Sequence, residues 1–163
     1  MIITDGICCF TGHRDFERTA TPREILIFEK LTDNLIRNGY TVFKAGGALG
    51  FDTVAAEYIL KRRAEGWKVR LELVLPCANQ TAKWSFPQKK RYETILNLAD
   101  RVDCLYPQYV DGCMHERNRR MVDESSACVA FCNRTGGGSY NTVQYARERG
   151  LSVYNIAEMA TLL

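Results

Sequence analysis

The sequence lacks the segments that direct proteins into or across membranes. No apolar run approaches the roughly 20 residues needed to span a bilayer. The N-terminus, with Asp5 four residues after Met1, also lacks the basic region of a secretory signal. We therefore expect a cytoplasmic protein with no membrane partner.

Metal and disulfide signatures are missing too, although the chain has seven cysteines. None of them forms a CxxC pair, and most lie in apolar, strand-like runs. The only two histidines, His13 and His115, have no partner at the spacing of metal ligands. Free cysteine is among the most often buried residue types, so we expect reduced, buried thiols and no structural metal.

Two common signatures of catalysis are absent as well. No Gly-Lys-Ser or Gly-Lys-Thr follows the glycines, which argues against ATP hydrolysis by a P-loop. There is no nucleophile elbow, and no histidine and carboxylate set accompanies the cysteines. The sequence therefore gives no plain indication of an enzyme.

Composition and charge fit one globular domain over residues 1–163. The chain is 46% hydrophobic and 25% charged and has no internal linker. A net charge of +3 permits an anionic ligand without requiring a nucleic-acid surface. We interpret the basic run Lys89-Lys90-Arg91 as a solvated helix face. A nucleic-acid partner is therefore not expected, and homo-oligomerisation stays open.

Helical and extended patterns alternate along the whole chain. Thr21-Pro22-Arg23-Glu24 combines a hydroxyl N-cap, a proline and a capping glutamate, which predicts a helix over about 22–38. Extended runs are predicted at 7–10, 40–43, 69–75, 102–105, 127–131 and 151–154. Short connections between such elements are typical of parallel βαβ units. The sequence therefore predicts an α/β, Rossmann-like three-layer sandwich with a mostly parallel sheet of about six strands.

A glycine-rich stretch, Gly46 to Asp52, joins a predicted strand to a predicted helix. Its glycines let backbone amides approach a ligand, and the helix that follows directs its positive dipole end to the same place. The charge of Asp52 would repel a phosphate placed beside it. We therefore predict that this loop contacts a sugar, with Asp52 as the acceptor for ribose hydroxyls or, alternatively, as a helix N-cap.

Two other loops also leave the carboxyl ends of predicted strands, at 11–14 and 135–142. Ligands of open parallel sheets bind at this edge, so we expect the three loops to line one crevice. The loop at 135–142 combines three consecutive glycines with Ser139, Thr142 and a helix start, which suits a bound phosphate. A plain turn that requires positive φ is the alternative.

Polar side chains near these loops complete the predicted crevice. Arg14, and Arg117 or Arg119, can neutralise phosphates, with solvent exposure as the alternative for each. Asn118 shares the inward stripe of its helix and either joins a buried network or faces a pocket, and we favour the pocket.

The long loop at 76–87 is the one extended irregular piece. Ordered loops of this length tend to be functional, which makes Gln80 and Trp84 candidates. Alternatively, Trp84 only packs the loop onto the body.

The ordered motifs resemble the YpsA-like branch of the SLOG superfamily, which also includes the DNA-processing protein DprA and LOG-type phosphoribohydrolases. They are Thr11-Gly12-His13-Arg14, Gly46-Gly47-Ala48-Leu49-Gly50-Phe51-Asp52, Gln80 with Trp84 and Arg91-Tyr92, Arg117-Asn118-Arg119, and Gly137-Gly138-Ser139-Tyr140-Asn141-Thr142. The resemblance implies a Rossmann-like fold that binds a nucleotide or derivative such as NAD, ADP-ribose or AMP. It also implies a sensor or adaptor in bacterial stress or cell division, with no required cofactor.

On these grounds we assign ligand binding to residues of all the motifs. They are Thr11, Gly12, His13, Arg14, Gly46, Gly47, Ala48, Gly50, Asp52, Gln80, Trp84, Asn118, Arg119, Gly136, Gly137, Gly138, Ser139, Asn141 and Thr142.

The chain departs from the LOG pattern at the catalytic glutamate, whose position holds Tyr145. This departure favours a non-catalytic binder. Hydrolysis of the N-glycosidic bond of a nucleoside monophosphate, with Asp52 or Glu57 as the carboxylate, is the first alternative. DprA-like binding of single-stranded DNA is the second.

Overall fold

The computed structural model describes residues 5–162, in which six strands form one parallel sheet flanked by helices. The strands are β1 (Gly6–Gly12), β2 (Tyr40–Ala45), β3 (Arg70–Leu75), β4 (Arg101–Cys104), β5 (Ala127–Phe131) and β6 (Ser152–Asn155). The helices are α1 (Phe16–Thr19), α2 (Pro22–Arg37), α3 (Phe51–Ala64), α4 (Phe86–Leu98), α5 (Cys113–Asp123), α6 (Gly138–Glu148) and α7 (Ile156–Leu162). The predicted α/β, Rossmann-like fold is confirmed.

The strand order is β4-β3-β2-β1-β5-β6. The chain therefore runs outward from β1 to β4 and then returns to place β5 on the other side of β1. Connections leave β1 and β5 toward opposite edges of the sheet, which makes the gap between these strands the topological switch point. Open sheets of this kind bind ligands at the carboxyl ends of the strands beside that gap.

Side chains alternate along β1 between two cores, one on each face of the sheet. Phe10 is fully buried in the first core, where its ring lies 5.4 Å from Phe43 and 6.0 Å from Phe51. Cys9 points into the second core and packs with residues of α5 and α6 such as Met121. The two cores hold the carboxyl end of β1 rigidly between layers of helices.

Helix starts follow the capping signals of the sequence. The predicted box at the start of α2 is present: Thr21 Oγ1 accepts from the Glu24 amide at 3.1 Å, and Glu24 Oε1 accepts from the Thr21 amide at 2.9 Å. A second box, between Ser85 and Gln88, starts α4 at Phe86, within the loop predicted at 76–87.

Six of the seven cysteines are buried and all seven are free thiols. Cys104 is the exception to the expected burial, because β4 is the edge strand and its residues are mostly exposed. Within residues 5–162, no group of three or more histidine, cysteine or acidic side chains is arranged to hold a metal ion. None of the helices described is long and apolar enough to cross a bilayer.

Candidate functional site

A cavity of about 440 Å³ opens at the carboxyl ends of β1 and β5. The three loops predicted to converge all contribute to it, together with the N-terminal half of α5. Its walls are formed by Phe10, Thr11, Gly12, His13, Arg14, Asp15, Ala48, Asp52, Met114, Arg117, Asn118, Arg134, Gly136, Gly137, Gly138 and Ser139.

The loop after β1 joins two other walls through His13. The His13 carbonyl accepts from the Phe51 amide at 3.1 Å, and His13 Nε2 accepts from the Asn133 amide at 3.2 Å. Burial, followed by the charge of Arg134, lowers the pKa of His13, which favours the neutral ring that the bond from the Asn133 amide needs. His13 therefore fixes the starts of α3 and of the β5–α6 loop relative to β1.

Asp52 is a buried carboxylate in the second wall, with 6% of its surface exposed. It is not the N-cap of α3, because Gly50 holds that position with a φ of 79°. Its Oδ2 accepts from the Ala48 amide at 3.3 Å, which ties the carboxylate to its own loop. Burial raises the pKa of Asp52, and the nearby Arg117 opposes this rise.

Arg117 is the buried cation of the site, with 5% of its surface exposed. Its Nη1 donates to the Gly46 carbonyl at 2.5 Å and its Nε donates to Asn118 Oδ1 at 2.7 Å. A Cβ on Gly46 would lie 2.4 Å from Arg117 Nη1 and 2.9 Å from Asp52 Oδ2. Glycine at position 46 therefore makes room for both charged groups, and Asn118 lines the cavity while it orients the arginine.

The loop before α6 forms another wall of the cavity. Gly136 and Gly137 have φ values of 84° and 89°, a conformation that favours glycine. Apart from the adjoining residues, no atom of the part of the chain that the structure describes lies within 4 Å of the place where a Cβ would stand on either residue. No side chain caps the N-terminus of α6, so its first amides are available to an anion in the cavity. Thr142 is buried instead, and its hydroxyl donates to the Gly138 carbonyl at 2.8 Å.

Arg14 lies at the mouth of the cavity and is exposed. Its Nη2 lies 3.8 Å from Met114 Sδ. Among the described residues, no carboxylate lies within ion-pair distance of Arg14. Its charge is therefore free to meet an anionic ligand.

Part of the predicted set lies outside the cavity. These residues are Gly46, Gly47, Gly50, Gln80, Trp84, Arg119, Asn141 and Thr142. Gln80 supports the second wall, with its Nε2 3.5 Å from the Gly46 carbonyl and 3.2 Å from the Tyr92 hydroxyl. The Trp84 ring packs edge-on against Tyr92 at 5.4 Å, so it holds the loop down, in agreement with the alternative interpretation.

The remaining predicted side chains are engaged elsewhere. Arg119 donates to His115 Nε2 at 2.9 Å, and its guanidinium lies over the Tyr145 ring. The two carboxylate oxygens of Glu57 accept from Arg91 at 2.6 and 2.7 Å. Arg91 therefore forms ion pairs on the helix face, where 39% of its side chain is exposed, and Glu57 is not among the residues that line the cavity.

Sequence reasoning missed Asp15 and Arg134, which line the cavity from two different loops. Arg134 Nη2 forms a short ion pair with Asp15 Oδ2 across the cavity mouth. Each residue adjoins a predicted motif, since Asp15 follows Arg14 directly and Arg134 precedes the glycine run. Their position beside these motifs is the signal in the sequence that could have identified them as residues of the site.

Comparison with known families identifies the chain. A sequence model described as the YspA SLOG family, YpsA, matches residues 8–159. The chain belongs to this family. The resemblance predicted from the motifs is thereby confirmed.

Similar curated proteins are bacterial. The uncharacterized SPbeta prophage-derived protein YoqJ of Bacillus subtilis is 32% identical over 120 residues, which cover 65% of this chain and 69% of YoqJ. A UPF0398 protein of Halalkalibacterium halodurans is 28% identical over 114 residues, which cover 69% of this chain and 60% of that protein. A UPF0398 protein of Bacillus velezensis is 23% identical over 164 residues, with 92% and 90% coverage.

Solved structures of DNA processing protein A share the fold of this YpsA-family chain. The Streptococcus pneumoniae protein superposes with a TM-score of 0.64 at 19% identity, over 91% of this chain and 49% of its own. The Helicobacter pylori protein, described in a study of its single-stranded DNA binding mode, gives a TM-score of 0.62 at 17% identity, with 98% and 80% coverage. The chain thus spans about half of the first of these proteins.

Proposed function

We propose that this YpsA-family chain binds a nucleotide or nucleotide derivative in the cavity between β1 and β5. The phosphate lies on residues 136–139 and the ribose lies beside Asp52. One observation carries the proposal: the uncapped start of α6 and a buried carboxylate line the same cavity. Such a site presents both donors for an anion and an acceptor for hydroxyl groups.

Charge and size support this arrangement. Arg14 is exposed at the mouth and free of carboxylate partners within residues 5–162, so its guanidinium can pair with the phosphate. The volume of about 440 Å³ falls within the range of roughly 300 to 1,000 Å³ typical of small-molecule sites. The cavity therefore suits a ligand of mononucleotide size.

We further propose a sensor or adaptor role in bacterial stress or cell division. Tyr145, at the position of the LOG glutamate, donates its hydroxyl to Asp123 at 2.7 Å and does not line the cavity. Because that position carries no carboxylate, ligand binding without turnover is the activity that we propose for the site.

Thermal unfolding in the presence of AMP, NAD and ADP-ribose tests the proposal. At least one of them is expected to stabilise the protein, by about 2.7 kcal/mol at a concentration 100 times its Kd. Adenosine, which lacks the phosphate, is the control and is expected to stabilise it less. Unchanged unfolding temperatures with all three nucleotides would refute the proposal.

Binding of single-stranded DNA is a second candidate, favoured by the similarity to the Helicobacter pylori protein. That similarity makes the expected absence of a nucleic-acid partner doubtful. Salt dependence separates the two functions, since the affinity for a strand that contacts several phosphates falls steeply with salt. Oligonucleotide binding that is strong, salt-dependent and unaffected by mononucleotides would favour this candidate.

Hydrolysis of a nucleoside monophosphate is a third candidate function, and Asp52 is the observation that favours it. It is a carboxyl group of the cavity wall, and burial raises its pKa, as in many general acids. Release of free base from AMP is the assay, and an unchanged rate in Asp52→Asn would remove Asp52 from that reaction.

A further inference from the structure

We infer that Asp15 and Arg134 form an exchangeable latch across the mouth of the cavity. In this inference, which rests on the proposed function, the anionic group of the ligand takes Arg134 from Asp15, so that the loop that carries Arg134 is held by the ligand and no longer by Asp15. Asp15 thereby determines how strongly the cavity discriminates between anionic and neutral ligands.

The two ends of the latch differ in how firmly they are held. Asp15 precedes Phe16, whose buried ring packs edge-on against Phe51 at 5.1 Å and Phe131 at 4.8 Å. Arg134 belongs to an exposed loop and has 51% of its side chain exposed. The glycines at 136 and 137 that follow it stand in open space. Exchange of partners therefore moves the arginine side and leaves Asp15 in place.

The hydrogen bonding of Asp15 is incomplete. Its Oδ2 pairs with Arg134 and lies 3.6 Å from Arg18 Nη2, whereas its Oδ1 is buried and has no hydrogen-bond partner among the described residues. A buried acceptor without a donor is destabilising because it has lost its bonds to water. Opening the latch allows water to reach this oxygen, which makes the closed pair easier to exchange.

Of the arginines that line the cavity, Arg134 is also the one best placed to exchange its carboxylate partner for a ligand. Arg117 is buried and donates to the Gly46 carbonyl and to Asn118. Arg14 has no carboxylate to give up among the residues described. A phosphate offers three oxygens and up to two negative charges to the planar guanidinium, against the single charge of Asp15. Competition for Arg134 is therefore set by the charge of the ligand.

The loop of Arg134 separates two cavities. Separation of this loop from Asp15 therefore has a consequence outside the site. Arg134 also lines a neighbouring cavity of about 250 Å³, together with Thr135, Arg147 and Glu158. Movement of the loop changes the shape and charge of that outer surface. A sensor needs such a change if a partner is to recognise the bound state.

Titration calorimetry with AMP and with adenosine, on the wild type, Asp15→Asn, Arg134→Gln and the double variant, tests the latch. Asp15→Asn is expected to tighten AMP binding roughly two- to fivefold, the range for one partly exposed ion pair, and to leave adenosine unchanged. Arg134→Gln is expected to weaken AMP binding, and adding Asp15→Asn to it should change nothing further. AMP binding that is unchanged or weaker in Asp15→Asn would overturn the inference.

Hydrogen exchange without nucleotide separates failure of the latch from failure of the proposed function. Amides 134–139 are expected to exchange faster in Asp15→Asn than in the wild type, and at the wild-type rate in the control Asp111→Asn, which changes an exposed aspartate outside the cavity. If the wild type binds no AMP, the proposed function fails. The hydrogen-exchange rates then decide whether the Asp15–Arg134 ion pair holds the loop. Equal rates in Asp15→Asn and the wild type would contradict the latch.

Discussion

Replacing Gly50 with alanine is expected to lower the free energy of unfolding by roughly 3 kcal/mol or more. Gly50 has a φ of 79°, and a Cβ there would lie 2.2 Å from the carbonyl oxygen of Arg14 and 2.4 Å from its carbonyl carbon. The clash is with backbone, which cannot rotate away as the end of a side chain can. Alanine must therefore push the β1–α1 loop away from the start of α3, which are two walls of the cavity.

Gly66→Ala is the matched control for this prediction. Gly66 has a φ of 93°, but within residues 5–162 no atom beyond its chain neighbours lies within 4 Å of the place where its Cβ would stand. Only the conformational cost of roughly 1–2 kcal/mol is expected there. Urea unfolding of the two variants gives both values, and equal losses would show that Gly50 does not pack tightly against the Arg14 backbone.

Replacing Arg117 with methionine is expected to weaken AMP binding at least roughly tenfold, since buried hydrogen-bonded charges contribute more than exposed ones. The change removes the donor to the Gly46 carbonyl and leaves the buried Asp52 carboxylate without its neighbouring cation. Both effects deform the wall that is proposed to contact the ribose. Calorimetry measures the affinity, and the unfolding temperature shows whether the variant is folded.

Two further variants make the Arg117 prediction specific. Arg117→Lys keeps the charge but lacks the fork that bonds both Gly46 and Asn118, so an intermediate loss is expected. Arg119→Met removes an exposed arginine of the same helix that does not line the cavity, and no loss is expected. Equal losses from Arg117→Met and Arg119→Met would argue for a general effect of charge instead of a defined site.

Local signals in the sequence are sufficient to predict the convergence of the three loops. The capping box at Thr21 and the short connections between helices and strands identify βαβ units, and in such units the carboxyl ends of the strands must meet at one edge. The place of the loop at 136–139, where we propose that the phosphate binds, is predicted in the same way. These inferences need only neighbouring residues and the handedness of the fold.

Motif membership does not distinguish a residue that lines a cavity from one that supports its wall. Gln80 and Gly50 belong to the motifs, but one braces the Gly46 carbonyl and the other makes room for Arg14. The ion pair of Asp15 with Arg134 joins residues 119 positions apart. Periodicity and turn signals carry no information on such pairs.

Lys44, a buried lysine of the sheet, is a second case in which local signals do not reveal the partners of a charged side chain. Lys44 lies one residue beyond the predicted end of the second strand, which the structure extends to Ala45. Only 5% of its surface is exposed, and its Nζ lies 2.9 Å from Glu72 and 3.4 Å from Glu124. A lysine is rarely buried without such partners, and they come from β3 and from the residue that follows α5.

An NMR titration that follows each backbone amide while AMP is added tests the central claim most directly. We expect saturable shifts in residues 136–139, at the phosphate end, and in residues 46–52, at the ribose end. With adenosine, the shifts at 136–139 should be lost and those at 46–52 retained. Saturable binding of AMP that leaves the amides of 136–139 unshifted would contradict the proposed site.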